Sequence, residues 1–336
     1  MTASFQNESQ ILKIGLVGCG RAVEKIYLPA IEKLPGIKVI AAVDPIEERR
    51  NLVSQKFTEC IPYEFINEKL IDQINVGIIT TPPDTHVKLA LEFLKKNKYI
   101  LVEKPLALSM DGIKELKEIE SSSKAYLMMG FNHRYWLPVV KLKEKLSGNI
   151  RIEYAEINFS SDYKKWNPVS FISDPLDDLG PHVFDLINFI FNKEIISVSA
   201  SRFSENKFNL VVRISDDVYI HCYIAHDNET LRTIRVASSW EKFFVSIKSI
   251  RIFPDTGFLR NILDINDRIK TRLLRKTFPI IISYQVQLRR FLEFARSGKA
   301  AYPGTADGIS AVFAVEAARI SINNKGKEIF LNEIGS

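Results

Sequence analysis

Cysteine is scarce in this chain: Cys19, Cys60 and Cys222 are the only three among 336 residues, far apart and without a CxxC pair. That number and spacing exclude a disulfide framework and a cysteine-based zinc site, and they fit a reducing compartment. Long hydrophobic runs are missing as well, since nothing approaches the roughly 18 uninterrupted apolar residues of a spanning helix. The opening MTASFQNESQ has neither the basic nor the apolar region of a secretory signal. A cytoplasmic protein without a transmembrane helix is therefore expected. No low-complexity tract or fixed-period repeat stands out. No helix-turn-helix or aromatic RNA-binding motif is present, so nucleic acid is not an expected partner. The charge excess is small for this length, at +6. Its one concentration is DRIKTRLLRKTF at 267–278, where Arg268, Arg272 and Arg275 recur at helical spacing. The polar face of an amphipathic helix accounts for them; an anionic-substrate contact or a membrane-surface contact are the sharper alternatives.

What is present is an ordinary globular composition, 46% hydrophobic and 26% charged, in a chain long enough for two domains. Up to about residue 131, apolar strands alternate with amphipathic helices. ILKIGLVG at 11–18 is followed by the helical pattern RAVEKIYLPAIEKL, the strand IKVIAAVD and the helix PIEERRNLVSQKF. VGIITT, the helix DTHVKLALEFLKKN, the strand YILV, the helix MDGIKELKEIESS and the strand AYLMMGF continue the series. Asp84 and Ser109 are expected caps for two of these helices. Such alternation predicts a parallel sheet covered on both faces, with ligands beyond the carboxyl ends of its strands. Gly18, Asp44, Thr80 and Lys104 all stand at such ends.

The first of these ends carries Gly18-Cys19-Gly20 between a strand and a helix, where small residues let backbone N–H groups approach a pyrophosphate. The third position of a GxGxxG pattern falls on Val23, so the pattern is incomplete. Asp44 ends the second strand at about the distance expected of the acid that binds a ribose hydroxyl. A carboxylate there repels a 2′-phosphate, which favours NAD over NADP. Taken without context, the glycines could serve tight packing and Asp44 could cap a helix before Pro45.

YILV-Glu103-Lys104-Pro105 places a lysine at the mouth of a buried strand. With the preceding TTPPDTHVKLALEFLKKNK, the opening GLVGCGRAVEKIYLPAI, and MGFNHRY, DLGPHVFDL and GTADG further on, this resembles the Gfo/Idh/MocA family, the glucose–fructose oxidoreductase and inositol dehydrogenase relatives. The resemblance spans about 11–331 and is strongest before 190. It implies an α/β plus α+β chain: an N-terminal Rossmann domain with a doubly wound parallel sheet, at 1–133, and a domain with an open, mostly antiparallel sheet at 134–336. The 305–321 helix, capped by Thr305, would pack back on the first domain. It also implies a homodimer or homotetramer. The cofactor contacts it implies are Gly18, Cys19, Gly20, Arg21, Ala22, Asp44, Thr80, Thr81, Pro82, His86, Glu103 and Lys104. Lys104 would lie near the nicotinamide and the reacting hydroxyl, where an ammonium stabilises charge developing on oxygen. Glu103 and Pro105 would hold it. Tyr27 stands where many relatives carry histidine.

In DPLDDLGPHVFDLINFIF, Asp178, His182 and Asp185 fall at i, i+4 and i+7, so a helix puts them on one face. The resemblance makes His182 the general acid/base and Asp178 a binder of substrate hydroxyl or a partner of the imidazole. Asp185 would support the helix. Alternatively, Asp177 and Asp178 only cap and charge-stabilise a helix start, with His182 half buried. No further metal ligands lie near in sequence, and no metal site is read. Asn132, Tyr163 and Trp166 complete the expected substrate contacts, Tyr163, Lys164 and Trp166 lying in the loop before the helix. Where relatives often carry glycines before this aspartate, the chain has SFISDPLDD, with Pro175 and extra acids. Beyond 150, IRIEYAEINFS, ISVSASRF, FNLVVRIS, VYIHCYIAH, LRTIRVASSW and FFVSIKSI alternate with period two, which predicts an antiparallel sheet with one covered face. His221 and His226 there read as structural.

The function so implied is hydride transfer between NAD(H) and a secondary alcohol/ketone of a sugar, cyclitol or nucleotide sugar. The alternatives are a reductase of a small non-sugar carbonyl and a non-catalytic dinucleotide-sensing or partner-binding protein on the same fold.

Overall fold

In a computed structural model, the residues described are 11–148, 150–162, 174–215, 217–239, 241–246, 249–254 and 279–334. The basic segment 267–278 and the loop residues Tyr163, Lys164 and Trp166 lie outside them. The chain divides into two compact units. The first runs up to Asn132 and includes Ile280–Gly308; the second comprises His133–Pro279 and Ile309 onward. Neither is one continuous stretch, because Ile280–Gly308 returns to the first unit.

The first unit is built on the apolar runs of the N-terminal third. Strands β1 (Leu12–Val17), β2 (Ile37–Val43), β3 (Ile61–Tyr63), β4 (Val76–Ile79), β5 (Tyr99–Val102) and β6 (Leu127–Met129) form one parallel sheet in the order β3-β2-β1-β4-β5-β6. Every residue of β4 and β5 is buried, which is why these segments read as continuous apolar runs rather than alternating ones. The order reverses between β1 and β4, the switch point where open α/β sheets take their ligands. The connections carry α1 (Leu28–Ile31), α2 (Glu47–Ser54), α3 (Glu68–Gln73), α4 (His86–Lys95) and α5 (Ile113–Ser122). In α4, Ala90, Leu91, Phe93 and Leu94 are buried, the stripe expected from its period. Its expected cap, Asp84, lies instead in a 3-10 turn (Pro83–Thr85), and no side chain caps α4. Ser109 likewise bonds Asp111 in the turn before α5, whose N-cap is Gly112.

The second unit is an eight-stranded sheet. Its strands are β7 (Ile152–Asp162), β8 (Ile195–Ser204), β9 (Lys207–Ile214), β10 (Val218–Asp227), β11 (Leu231–Ser238), β12 (Glu241–Ser246), β13 (Ser249–Pro254) and β14 (Ile329–Phe330). The order is β13-β12-β11-β7-β10-β9-β8-β14. All pairings are antiparallel except β7 with β10. The segment FFVSIKSI is thus two strands of a hairpin rather than one. Alternation turns one face inward in rows across the strands. Val236, Ala155, Ile220, Val212 and Val198 form one row; Ile234, Ile157, Cys222, Leu210 and Ala200 form the next. The third reads Arg232, Phe159, Ile224, Phe208 and Arg202. Beyond it, His226 pairs with Ser161. Helices α6 (Leu137–Leu146) and α7 (Pro175–Phe191) supply Val139, Leu142, Leu179, Val183, Leu186 and Ile187 to this core. Each fully buried side chain of this size contributes about 1.5–3 kcal/mol. The C-terminal helix Thr305–Asn323 gives Ala314, Val315, Ala317 and Ala318 to the same core, while its first turn, Thr305–Gly308, belongs to the first unit. Asp307 accepts the Gly304 N–H and thereby closes that helix start. No helix among the described residues is long and apolar enough to cross a membrane.

Candidate functional site

The carboxyl ends of β1, β2, β4 and β5 share one edge of the parallel sheet, and the expected cofactor residues are tied together there. Gly18 has φ +85°, and a Cβ on it would stand 2.8 Å from the Thr80 carbonyl carbon and the Thr81 nitrogen. Glycine is required by both the angle and the contact. Thr80 fixes the turn further, its hydroxyl donating to the Gly18 carbonyl at 2.6 Å. Asp44 is buried, and its carboxylate accepts the Cys19 N–H at 2.8 Å and the Ile46 N–H at 2.9 Å. It therefore braces the glycine turn. The Cys19 thiol is buried, and burial, with Asp44 beside it, pushes it up to about 12. Val23, at the missing third glycine, is fully buried in the helical segment 21–31.

The residues fit a dinucleotide. A Cβ built on Gly20 meets nothing within 4 Å, so the backbone at the start of that helical segment is open to a ligand while Gly18 beside it is closed by protein. Gly18 to Ala22, with Thr80 and Thr81 beside them, would hold the pyrophosphate. Asp44 would hold the ribose. His86 lies beneath this edge rather than on it. It is 1% exposed, with Nδ1 2.7 Å from the Pro105 carbonyl oxygen and Nε2 2.8 Å from that of Thr81. Both partners are acceptors, so a neutral ring donates to one of them; burial pushes the imidazole pKa down and keeps it from serving both. His86 links the loop after β4 to the segment after β5.

Glu103 follows β5 and turns back into the unit. Tyr27 donates to its Oε1 at 2.6 Å, and the Lys104 N–H donates to Oε2 at 3.1 Å. Gly130 leaves the space, because a Cβ there would lie 3.0 Å from both Cα and Oε2 of Glu103. The Tyr284 ring stands edge-on to Tyr27 at 5.2 Å. Burial pushes the Glu103 carboxyl pKa up; the Tyr27 hydrogen bond and the Lys104 charge pull it back. Burial and Glu103 together hold Tyr27 well above its ordinary value. The peptide between Lys104 and Pro105 is cis. Asn132, just beyond β6, is buried and donates to the Ser283 hydroxyl at 3.3 Å.

In the second unit, α7 is capped by Asp174, whose Oδ1 accepts the Leu176 N–H at 2.8 Å. Asp177 pairs with Arg319. Neither Asp177 nor Asp178 is the cap. Asp178 faces His226 of β10, Oδ2 to Nε2, at 3.3 Å. One turn on, the His182 ring packs on His133 with centroids 3.9 Å apart, and His133 lies at the same distance from Trp136. Asp185, on the same helical face by spacing, pairs instead with Arg134: Nε reaches Oδ1 at 2.9 Å and Oδ2 at 3.0 Å, and Nη2 reaches Oδ1 at 2.6 Å. Both side chains are almost fully buried, 2% and 1% exposed. Arg232 lies over the Phe159 ring at 4.8 Å, close enough to Asp178 for their charges to interact.

The structure thus gathers Asp178 and His182 with His133, His226 and Arg232, three residues that sequence reasoning did not place in the site. A signal for two of them existed. His226 shares the inward parity of Ile220, Cys222 and Ile224, and Arg232 that of Ile234 and Val236, so each is a polar residue on a core-facing row.

Residues 12–131 match the sequence model of the GFO_IDH_MocA family, described as an oxidoreductase family with an NAD-binding Rossmann fold. The chain is 25% identical to the inositol 2-dehydrogenase/D-chiro-inositol 3-dehydrogenase of Halalkalibacterium halodurans, over 96% of this chain and 94% of that one. It is 28% identical to the scyllo-inositol 2-dehydrogenase (NAD(+)) of Bacillus subtilis, over 59% of each chain. In fold it is similar to the WlbA dehydrogenase of Bordetella pertussis, solved with NADH and UDP-GlcNAcA, with a TM-score of 0.80, 14% identity and coverage of 96% and 98%.

Proposed function

Because this chain belongs to the Gfo/Idh/MocA oxidoreductase family, we propose that it is an NAD-dependent dehydrogenase acting on a secondary alcohol, or the matching ketone, of a sugar, cyclitol or nucleotide sugar. The observation that carries this reading is the sheet edge, where the open backbone at Gly20, the braced Asp44 and the Glu103-anchored Lys104 follow the carboxyl ends of β1, β2 and β5 of one parallel sheet. The nicotinamide, when bound, supplies the hydride acceptor or donor. Lys104 stabilises the negative charge that develops on the substrate oxygen. His182 exchanges the hydroxyl proton, and Asp178, steadied by His226, orients the substrate. The names of the two curated relatives support a polyol-like substrate.

Asp44 supports NAD over NADP, since a second negative charge at the ribose 2′ position would face a buried carboxylate. Assembly into a homodimer or homotetramer forms part of the proposal. The outward parity of the second unit's sheet exposes Tyr154, Phe203 and Tyr219, 44%, 57% and 48% respectively, and such aromatic surface favours burial against another copy. The decisive test is turnover of polyols, sugars and nucleotide sugars with NAD, and of their keto forms with NADH, by the protein and its Lys104→Met variant. Turnover reduced in the variant by about a hundred- to a thousandfold is the expected result. NADH binding without turnover in either protein favours a dinucleotide sensor, and activity retained in the variant removes Lys104 from the chemistry.

A further inference from the structure

The third row of the second unit's inward face is bounded by an arginine at each end, Arg232 beside Phe159 and Arg202 beside Phe208. Each guanidinium lies over its neighbouring ring, at 4.8 Å and 4.7 Å. Their electrostatic surroundings differ. Arg202 has a carboxylate, Asp174, at 2.7 Å, and is 43% exposed in its side chain. Arg232 has no ion pair among the described residues. Its Nη1 donates to the carbonyls of Ser160 and Leu231, which with the Phe159 ring fixes the plane of the group. Neither Nε nor Nη2 makes a hydrogen bond to a described residue, and neither is sealed away from solvent. One edge of the fork is therefore anchored, and the other has no hydrogen-bond partner among the described residues.

An arginine on the core-facing parity is costly to keep without an anion, because its charge is partly withdrawn from water. That withdrawal pushes its pKa down to about 10, against the pull of Asp178, so the group remains cationic at neutral pH. Asp178 is itself engaged by His226 and lies beyond ion-pair distance from Arg232. The free edge, two parallel N–H donors in a fixed plane, matches a carboxylate or a phosphate. Continuity with the proposed catalytic groups runs through side chains alone: Arg232 on Phe159, Phe159 edge-on to His133 at 5.5 Å, and His133 on His182 at 3.9 Å.

We propose that Arg232 is the anion-binding residue of this site, its Nε–Nη2 edge receiving a carboxylate or phosphate carried by the substrate, so that the natural substrate is an acidic or phosphorylated sugar or cyclitol rather than a neutral one. The assignment rests on the hydride-transfer reading for what happens to that substrate. The recognition itself does not depend on turnover.

The test uses the full chain with NADH present, offering myo-inositol and D-glucose as neutral probes, D-glucuronate as the carboxylate and D-glucose 6-phosphate as the phosphate. Binding is measured by calorimetry, and turnover in parallel. The wild-type protein is expected to bind at least one anionic probe about tenfold or more tightly than the neutral ones, and Arg232→Gln to reduce that ratio by at least tenfold. Which anion is preferred separates carboxylate from phosphate. Should Arg232→Gln fail to fold, Arg232→Lys carries the measurement: it keeps a charge, loses the planar fork and should still lower the ratio. Equal binding of neutral and anionic probes by the wild type overturns the proposal, as does a variant that loses both kinds of probe in equal proportion. Lys104→Met keeps the outcomes distinct. Anion-selective binding retained in that variant without turnover in either protein upholds Arg232 and sinks the dehydrogenase reading. Turnover of neutral polyols indifferent to Arg232 does the reverse.

Discussion

Removing one hydroxyl, Tyr27→Phe, is expected to produce a loss of stability that grows with pH. The ring stays against Tyr284, and only the 2.6 Å hydrogen bond to Glu103 disappears. Burial raises the folded pKa of Glu103, so the stability that this group contributes is fully present below the ordinary carboxylate value and is lost as pH rises through the folded one. Tyr27 favours the charged form and limits that loss. At low pH the deleted bond joins two neutral groups and is worth about 0.5–1.5 kcal/mol; once Glu103 is charged it is worth about 1.5–3 kcal/mol. The penalty in the variant should therefore rise by about 1 kcal/mol or more across the titration, because Glu103 is pushed further up without its donor. Urea unfolding of both proteins at a series of pH values between 5 and 8.5 reads this directly. A penalty that is flat with pH, or below about 0.5 kcal/mol throughout, would refute the reasoning and show that the tyrosine does not hold the carboxylate.

The buried pair of Arg134 and Asp185 gives a stability prediction. Asp185→Leu should cost about 3–5 kcal/mol in urea unfolding, because a buried guanidinium loses its carboxylate, whereas adding Arg134→Met should recover most of that loss. At the other unit's sheet edge, Asp44→Ser should narrow the NAD-over-NADP preference in kcat/KM by about tenfold or more, the equivalent of 1.4 kcal/mol. Unchanged discrimination in paired kinetics would leave Asp44 with only its role in bracing the turn.

Much of the first unit is visible in the sequence because its strands are uniformly buried and its helices keep a clear stripe. The strand Ile61–Tyr63 is not, since three residues including a proline are too few for any period to show. Alternation reveals the second sheet but is blind to direction, so β7 and β10 could not be told apart from an antiparallel pair. The helical spacing of Asp178, His182 and Asp185 is real, yet their roles part company because Arg134, 51 positions before Asp185, claims it. No local pattern reports such a partner. Arg232 and His226 stand on the inward parity, but only the fold says that the outer rows they occupy border the polar cluster on α7 rather than the hydrocarbon beneath it.

Those rows have an implication for how the protein can change. Along β10, Ile220, Cys222 and Ile224 are committed to holding the sheet and helix together, and two residues further on His226 has left that duty. The same gradient runs along β11 from Val236 through Ile234 to Arg232. With the proposed role of Arg232, stability and recognition lie at different depths of the same strands, and the border between them is one side chain wide. Substitutions at the outer rows can retune which molecules are accepted while the inner rows keep the architecture intact, so new specificities can arise on an old framework through changes of one or two residues.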